Sequence, residues 1–125
     1  MPIKLEFKNF ISREYVKKNP DKTFIFGDNL ERGGYGGQAK EMRGEPNAIG
    51  IPTKKLPSMT DDSFFTDDEF SENKKAINIA LSKIPRNATV VMSSNGIGSG
   101  RAELMKRAPK TWEYLTEEFK ALQKW

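Results

Sequence analysis

The chain has 125 residues, of which 36% are hydrophobic and 30% charged, and its net charge is +4. This length and composition are typical of one globular domain, which we expect to span residues 1–125. It contains neither histidine nor cysteine, which excludes the usual zinc sites, disulfide bonds and Ser–His or Cys–His nucleophilic catalysis. Any chemistry must therefore come from carboxylates, lysines, hydroxyls, amides, backbone N–H groups or a hard metal such as magnesium.

The first elements along the chain are a short strand and a short helix. Ile3, Leu5 and Phe7 alternate with charged residues, which indicates a half-buried strand at a sheet edge. Ser12 is a suitable N-cap for a helix over residues 13–18.

Two further strands are predicted on either side of a glycine-rich segment. Residues 23–26 form a continuous apolar run, typical of a strand that is covered on both faces. Residues 38–43 suggest a compact helix. Residues 47–52 predict a third strand, and we expect it to stop at Pro52 because proline cannot donate to a sheet ladder.

The second half predicts helices around one strong strand. Residues 66–69 read as a capping box that begins a helix running to about Lys83. Residues 89–92 form an apolar strand. Residues 101–107 and 110–124 suggest two more helices.

Strands and helices thus alternate along the chain, which predicts an α/β fold. We expect a three-layer sandwich with a mainly parallel or mixed central sheet. In such folds ligands bind beyond the carboxyl ends of the strands.

A glycine-rich loop follows the strand at residues 23–26. Four glycines lie between Gly33 and Gly37, directly before the helix at 38–43. Glycines let the backbone approach a ligand closely, and the N–H groups they free attract phosphates. The alternative is that these glycines form only a flexible turn.

A second glycine-rich loop, residues 94–100, follows the strand at 89–92. Because both loops follow buried strands, we expect them at the same edge of the sheet, with Lys54 between them. Two facing loops suit a diphosphate better than a single phosphate.

Both loops resemble those of macro domains. The first matches through Asn29-Leu30 and the run Gly33 to Ala39, and the second through Ser94 to Gly100. Phe26 to Leu30 and Ile51 to Lys54 resemble stretches of small macro-like proteins of bacteria and phages.

The resemblance implies binding of ADP-ribose or a related nucleotide, with no cofactor and no metal. Asn29 would lie beside the distal ribose, and Asn29 and Asp28 are the candidate catalytic residues, with Asp28 orienting water towards a ribosyl carbon. The residues expected to bind the ligand are Gly27, Arg32, Gly33, Gly34, Tyr35, Gly36, Gly37, Gln38, Lys54, Ser94, Asn95, Gly96, Ile97, Gly98, Ser99, Gly100 and Arg101.

Some side chains allow more than one interpretation. Arg32, Arg43 and Arg101 each carry a planar fork that suits phosphate, and Arg101 is the best placed because it follows the second loop. Tyr35 is expected to stack on a base or ribose. The pair at residues 61–62 could hold magnesium, although a solvated loop is the simpler interpretation.

Phe64 and Phe65 also have two interpretations. We expect them to fill the core rather than to form a stacking lid, because aromatic side chains bury a large area.

Three functions remain open from the sequence. The first is a macro-like binder of an ADP-ribose-type nucleotide, with hydrolysis of an ADP-ribosyl bond left open, and the second is capture of such a nucleotide without catalysis. The third is nucleic-acid binding. Residues 61–72 contain six acidic residues and no basic one. The rest of the chain, with 21 basic and 11 acidic residues, therefore has a net charge of +10, which favours an anionic partner such as nucleic acid.

A cytoplasmic location without membrane contact is expected. No apolar run approaches the roughly 20 residues that a membrane helix needs. The amino-terminal residues lack the apolar block of a signal peptide.

Overall fold

The computed structural model describes residues 3–34, 38–94, 97 and 102–122. In these residues the elements are β1 (Lys4–Lys8), α1 (Arg13–Lys18), β2 (Lys22–Asn29), α2 (Ala39–Met42), β3 (Ala48–Lys54), α3 (Phe70–Leu81), β4 (Thr89–Ser93), α4 (Leu104–Arg107) and α5 (Pro109–Leu122). Two short 3-10 turns, Asp61–Ser63 and Asp67–Glu69, lie between β3 and α3.

The four strands form one sheet in the order β1-β4-β2-β3, and all three pairings are parallel. The predicted α/β class with a parallel sheet is therefore confirmed. β1 lies at one edge, as its alternating pattern predicted, and β3 lies at the other. β2 is central, with Phe24 opposite Ala48 of β3 on one side and Val91 of β4 on the other.

Helices cover both faces of the sheet. Phe24 and Phe26 of β2 pack with α1 and α2, while Ile25 between them packs with α3 and α5. This alternation follows from the two-residue repeat of a strand. The continuous apolar runs of β2 and β4 are explained, since both sides of each strand are covered. The arrangement is compatible with a three-layer sandwich.

β3 does not stop at Pro52, as the sequence predicted, but continues to Lys54. β3 has a neighbouring strand on one side only, and its outer side bridges another segment just at Lys54, so the missing N–H of proline costs little at this edge. Pro52 lies opposite Asp28, and the register shifts after it, where Asn29 pairs with Lys54.

The predicted capping box at residues 66–69 is also wrong. Thr66 Oγ1 donates to Glu69 Oε1 at 3.1 Å, and neither side chain bonds to the helix backbone. Lys55 Nζ, 3.0 Å from the same carboxylate oxygen, holds Glu69 away from the backbone. The segment forms a 3-10 turn, and α3 begins only at Phe70.

Phe64 and Phe65 are both fully buried, which confirms the prediction that they fill the core. The helix predicted from residue 101 begins at Leu104 in the described residues, because Glu103 before it has a left-handed backbone with φ +46°. No helix among the described residues is long and apolar enough to cross a membrane.

Candidate functional site

The carboxyl ends of the strands meet at one edge of the sheet, because all pairings are parallel. β2 ends at Asn29, β3 at Lys54 and β4 at Ser93, and the two glycine-rich segments follow β2 and β4. Beyond β4, the Ser94 N–H donates to the Lys8 carbonyl at the end of β1. The strands that precede the two loops thus end at the predicted edge.

Asp28 is the centre of the polar contacts at this edge. Its side chain is 2% exposed. Oδ1 accepts a bond of 2.6 Å from Arg43 Nη2 and one of 2.8 Å from the Asn29 N–H. Oδ2 accepts one of 3.0 Å from Arg32 Nη1. One buried carboxylate is thereby paired with two guanidinium groups, and the cluster keeps one net positive charge.

The carboxylate fits because Gly50, on the neighbouring strand, has no side chain. A Cβ added to Gly50 would lie 2.3 Å from Asp28 Oδ2, well inside contact distance. From the same strand, Thr53 Oγ1 donates to the backbone carbonyl of Asp28 at 3.3 Å. Gly50 was not among the residues predicted for the site, although an isolated glycine inside a strand is a known sign of close approach by a neighbouring group.

Arg43 fastens the start of the glycine-rich loop. Its Nε donates to the Gly34 carbonyl at 2.8 Å, and Nη2 donates to the Gly33 carbonyl at 3.0 Å. The guanidinium carbon lies 5.5 Å from the centroid of the Phe26 ring. Because Nε and Nη2 are both used on the protein itself, Arg43 fastens the loop with most of its fork.

Arg32 is held differently. Its Nη1 donates to Asp28 Oδ2 and, at 2.8 Å, to the Gly50 carbonyl. Nε and Nη2 carry three further N–H groups, for which the described residues supply no acceptor. The side chain is 40% exposed, and the backbone has φ +57°, a conformation that L-residues rarely adopt. Strain of this kind often accompanies functional sites.

Asn29 closes the turn that carries Arg32. Its Nδ2 donates to the Gly33 carbonyl at 2.8 Å, and its Oδ1 accepts a longer bond of 3.4 Å from the Gly33 N–H. The Arg32 N–H donates to the Asn29 carbonyl at 3.1 Å. The buried Asn29 amide therefore stabilises the start of the loop through the Gly33 backbone, which is a common role for asparagine in turns.

Three other predicted ligand residues have described positions near this turn. Gly27 is exposed on β2. The Gln38 amide both donates to and accepts from the backbone of Ile11, so it ties α2 to the segment before α1. Lys54 is buried, and its Nζ donates to the Ser58 carbonyl and lies 4.9 Å from the Phe64 ring centroid.

The second loop is described only at two predicted positions. Ser94 is exposed, whereas Ile97 is buried in the apolar core on the α3 and α5 side. The remaining predicted site residues, Tyr35, Gly36, Gly37, Asn95, Gly96, Gly98, Ser99, Gly100 and Arg101, lie outside the described residues.

The acidic pair at residues 61–62 does not gather ligands for a metal in the described structure. The Asp61 side chain is almost fully exposed and lies 3.3 Å from Arg107 Nη1, while Asp62 accepts a bond from Thr60. No cluster of three acidic side chains suited to a metal ion is found among the described residues.

Comparison with known proteins gives one match. Neither a search of curated proteins nor a search of solved structures finds a similar protein. Residues 6–118, well over half of the chain, match a family of unknown function, DUF7831. The chain therefore belongs to the DUF7831 family.

Proposed function

We propose that this protein is a macro-like domain that binds ADP-ribose or a related adenine diphosphate nucleotide at the carboxyl edge of its sheet. The proposal is carried by one observation: Asp28 holds the Arg32 guanidinium beside the glycine-rich loop with three N–H donors not used by the described residues. A planar guanidinium with free donors is well suited to two phosphate oxygens at once.

The surrounding charge and backbone support an anionic ligand. Asp28 neutralises one of its two arginines, so an incoming phosphate meets a net positive group. A Cβ built on Gly33 would meet nothing within 4 Å, so this side of the loop has open space for a ligand. The diphosphate is preferred over a single phosphate because a second glycine-rich segment begins at the same edge.

Capture without hydrolysis is the better supported form of this function. Both carboxylate oxygens of Asp28 are engaged by neighbouring donors, and the side chain is out of contact with solvent. A general base must reach the proton it removes. Asn29, which is tied to Gly33, supplies an amide rather than a base.

A thermal-shift panel tests the proposal, with ADP-ribose, NAD, ATP, pyrophosphate and short oligonucleotides as ligands. A ligand at 100 times its dissociation constant should add about 2.7 kcal/mol to the free energy of unfolding. Absence of a shift with every adenine diphosphate would overturn the proposal. A shift with oligonucleotides alone, falling steeply with salt, would favour nucleic-acid binding instead.

Substitutions at the loop locate the binding. Arg32→Ala should weaken ADP-ribose binding about tenfold or more, since a charge-assisted bidentate contact is lost. Arg32→Lys should restore only part of it, because an ammonium lacks the fork. Arg86→Ala is the matched control: Arg86 is an exposed arginine before β4, at the opposite edge of the sheet.

Gly33→Ala separates ligand binding from folding. Its added methyl group meets open space in the free protein, so the midpoint of thermal unfolding should stay unchanged while affinity for ADP-ribose falls. An unchanged affinity would show that the ligand does not approach this part of the loop.

A product assay distinguishes the two forms of the function. Wild-type protein incubated with an ADP-ribosylated peptide should bind it without releasing ADP-ribose. Release that disappears in Asn29→Ala would instead establish hydrolysis.

A further inference from the structure

A cavity lies away from the arginine cluster (Asp28, Arg32 and Arg43), between the β1 edge of the sheet and α5. It has a volume of about 270 Å³. One side of the cavity is formed by Phe7 of β1 and Met92 of β4, each one residue before the end of its strand. Another side is formed by Trp112 and Phe119 of α5. Ile97, which belongs to the second glycine-rich segment, also lines it.

The lining is apolar and aromatic. Three aromatic rings come from two elements, β1 and α5, and the polar groups on the lining are few. Thr116 Oγ1 donates to the Trp112 carbonyl at 2.9 Å, so its proton is already used. The exposed Lys120 ammonium pairs with Glu117 at 3.6 Å. An occupant would therefore meet mainly ring faces and aliphatic groups.

The volume limits the size of the occupant. A cavity of about 150 Å³ accepts benzene. Pockets for drug-sized molecules begin at about 300 Å³. At about 270 Å³ this cavity suits one flat ring or two fused rings.

From this size and lining we infer that the cavity binds an uncharged flat aromatic group of one or two fused rings, held by stacking and shape. This site is additional to the proposed nucleotide function and does not depend on it. Because Ile97 connects the cavity to the segment after β4, the ring can belong to a ligand at the strand ends or to a separate small molecule. Recognition mainly through ring faces and aliphatic groups should distinguish poorly between rings of equal size.

Trp112 provides a direct reporter for this inference. The chain has two tryptophans, so a Trp125→Phe variant leaves Trp112 alone to fluoresce. Adenosine and inosine should each quench or shift this fluorescence, with affinities within about threefold of each other because they differ only at hydrogen-bonding groups. No change with either nucleoside would overturn the inference, and so would binding of one and not the other.

Two exposed phenylalanines supply the variant and its control. Phe7 is 58% exposed and lines the cavity, whereas Phe10 is 63% exposed and does not. Neither substitution should unfold the protein, since both rings are largely outside the core. Phe7→Ala should weaken adenosine binding about fivefold or more, and Phe10→Ala should leave it within twofold. Equal losses in the two variants would overturn the assignment.

Further ligands separate this site from the arginine cluster. Pyrophosphate, which has no ring, should leave Trp112 fluorescence unchanged. If pyrophosphate also fails to raise the thermal stability of the protein, that result counts against the proposed anion site and not against the cavity. If ADP competes with adenosine and binds more tightly, one ligand spans both sites. If adenosine and pyrophosphate bind together without affecting each other, the ring comes from a separate molecule. Both results retain the cavity as an aromatic site.

Discussion

The two faces of the sheet are covered in different ways. On one face α3 and α5, of 12 and 14 residues, pack apolar side chains into the larger of the two buried clusters. On the other face α1 and α2 have only six and four residues. Helices that short have little stability of their own, so other interactions must hold them.

Side-chain bonds to the backbone supply much of that support on the second face. Asn47 Nδ2 lies 3.0 Å from the Val16 carbonyl at the end of α1 and also reaches the Asn19 carbonyl at 3.1 Å. Arg13 Nη2 donates to the carbonyls of Lys40 and Arg43, at 2.9 and 3.0 Å. The loop that carries the candidate anion site is joined to this face through Arg43, which follows α2.

The comparison suggests a division between stability and positioning. Apolar packing is non-directional and contributes in proportion to the area buried. Hydrogen bonds contribute less free energy each, but they set angles and distances. A site that must place Arg32 and the Gly33 backbone is therefore better supported by the hydrogen bonds on the α1 and α2 face. Four predictions test this division, in order of decreasing effect.

The largest effect is expected in the apolar layer. Ile77→Ala removes a fully buried side chain from α3 and should lower the free energy of unfolding by about 3–4 kcal/mol, measured by urea denaturation. Ile79→Ala, two residues along the same helix and 52% exposed, should change it by less than about 0.5 kcal/mol. Similar losses at both positions would contradict the assigned core face.

A smaller loss is expected at the buried carboxylate of Asp28, at the carboxyl edge of the sheet. Asp28→Ala leaves Arg43 without its carboxylate and should cost about 2–3 kcal/mol, below the full value for a buried pair because Arg32 is partly solvated. Combined with Arg43→Ala, the double variant should lose less than the sum of the single variants. Additive losses in urea denaturation would show that the two residues do not interact.

The third prediction concerns two glycines on either side of α2. Gly44 follows α2 with φ +92°, so Gly44→Ala should cost about 1 kcal/mol through backbone strain. Gly33 has no such backbone conformation and an open Cβ position, so Gly33→Ala should leave stability unchanged. Thermal unfolding of both variants, without ligand, measures the difference. A loss at Gly33 as large as at Gly44 would contradict the described loop.

The smallest effect depends on pH. The hydrogen bond from Lys55, aided by Thr66, lowers the pKa of Glu69 below its ordinary value of 4.5. A carboxylate with a lowered pKa in the folded state stabilises the protein above pH 4.5, and this stabilisation is lost as the pH falls through the folded pKa. Because Glu69 is more than a third exposed, the effect should stay below about 1 kcal/mol.

Glu69→Gln isolates that effect. Its stability deficit relative to wild type, from urea denaturation at several pH values, should be present above pH 4.5 and shrink below it. Glu72→Gln is the control, since Glu72 has no ion-pair partner among the described residues. A deficit that does not change with pH would show that the ion pair does not form.

Much of the fold could be predicted from local patterns. The apolar runs at 23–26 and 89–92 predicted β2 and β4, and the helix predicted over residues 13–18 was found with those bounds. The misses occurred where a neighbouring element changed the outcome. Pro52 was tolerated because β3 is an edge strand. Glu69 did not cap the helix because its carboxylate bonds to Lys55 instead.

The candidate site was predictable in location but not in its contacts. Strand–loop order placed Asp28, Asn29 and the first glycines at the carboxyl edge. The pairing of Asp28 with an arginine 15 residues away joins distant parts of the chain. Arg43 was named as one of three arginines that suit phosphate, but no local pattern predicted that it would instead fasten the loop.

The amino-acid sequence by itself determined the α/β class, the order of the elements and the glycine-rich segments after two buried strands. Each of these features depends on residue spacing and backbone preference within a few residues. Only the tertiary structure decided the strand order β1-β4-β2-β3, the space that Gly50 leaves for Asp28 and the aromatic cavity beside α5. These features depend on contacts between residues far apart in the chain, and such contacts form only when the sheet brings those residues together.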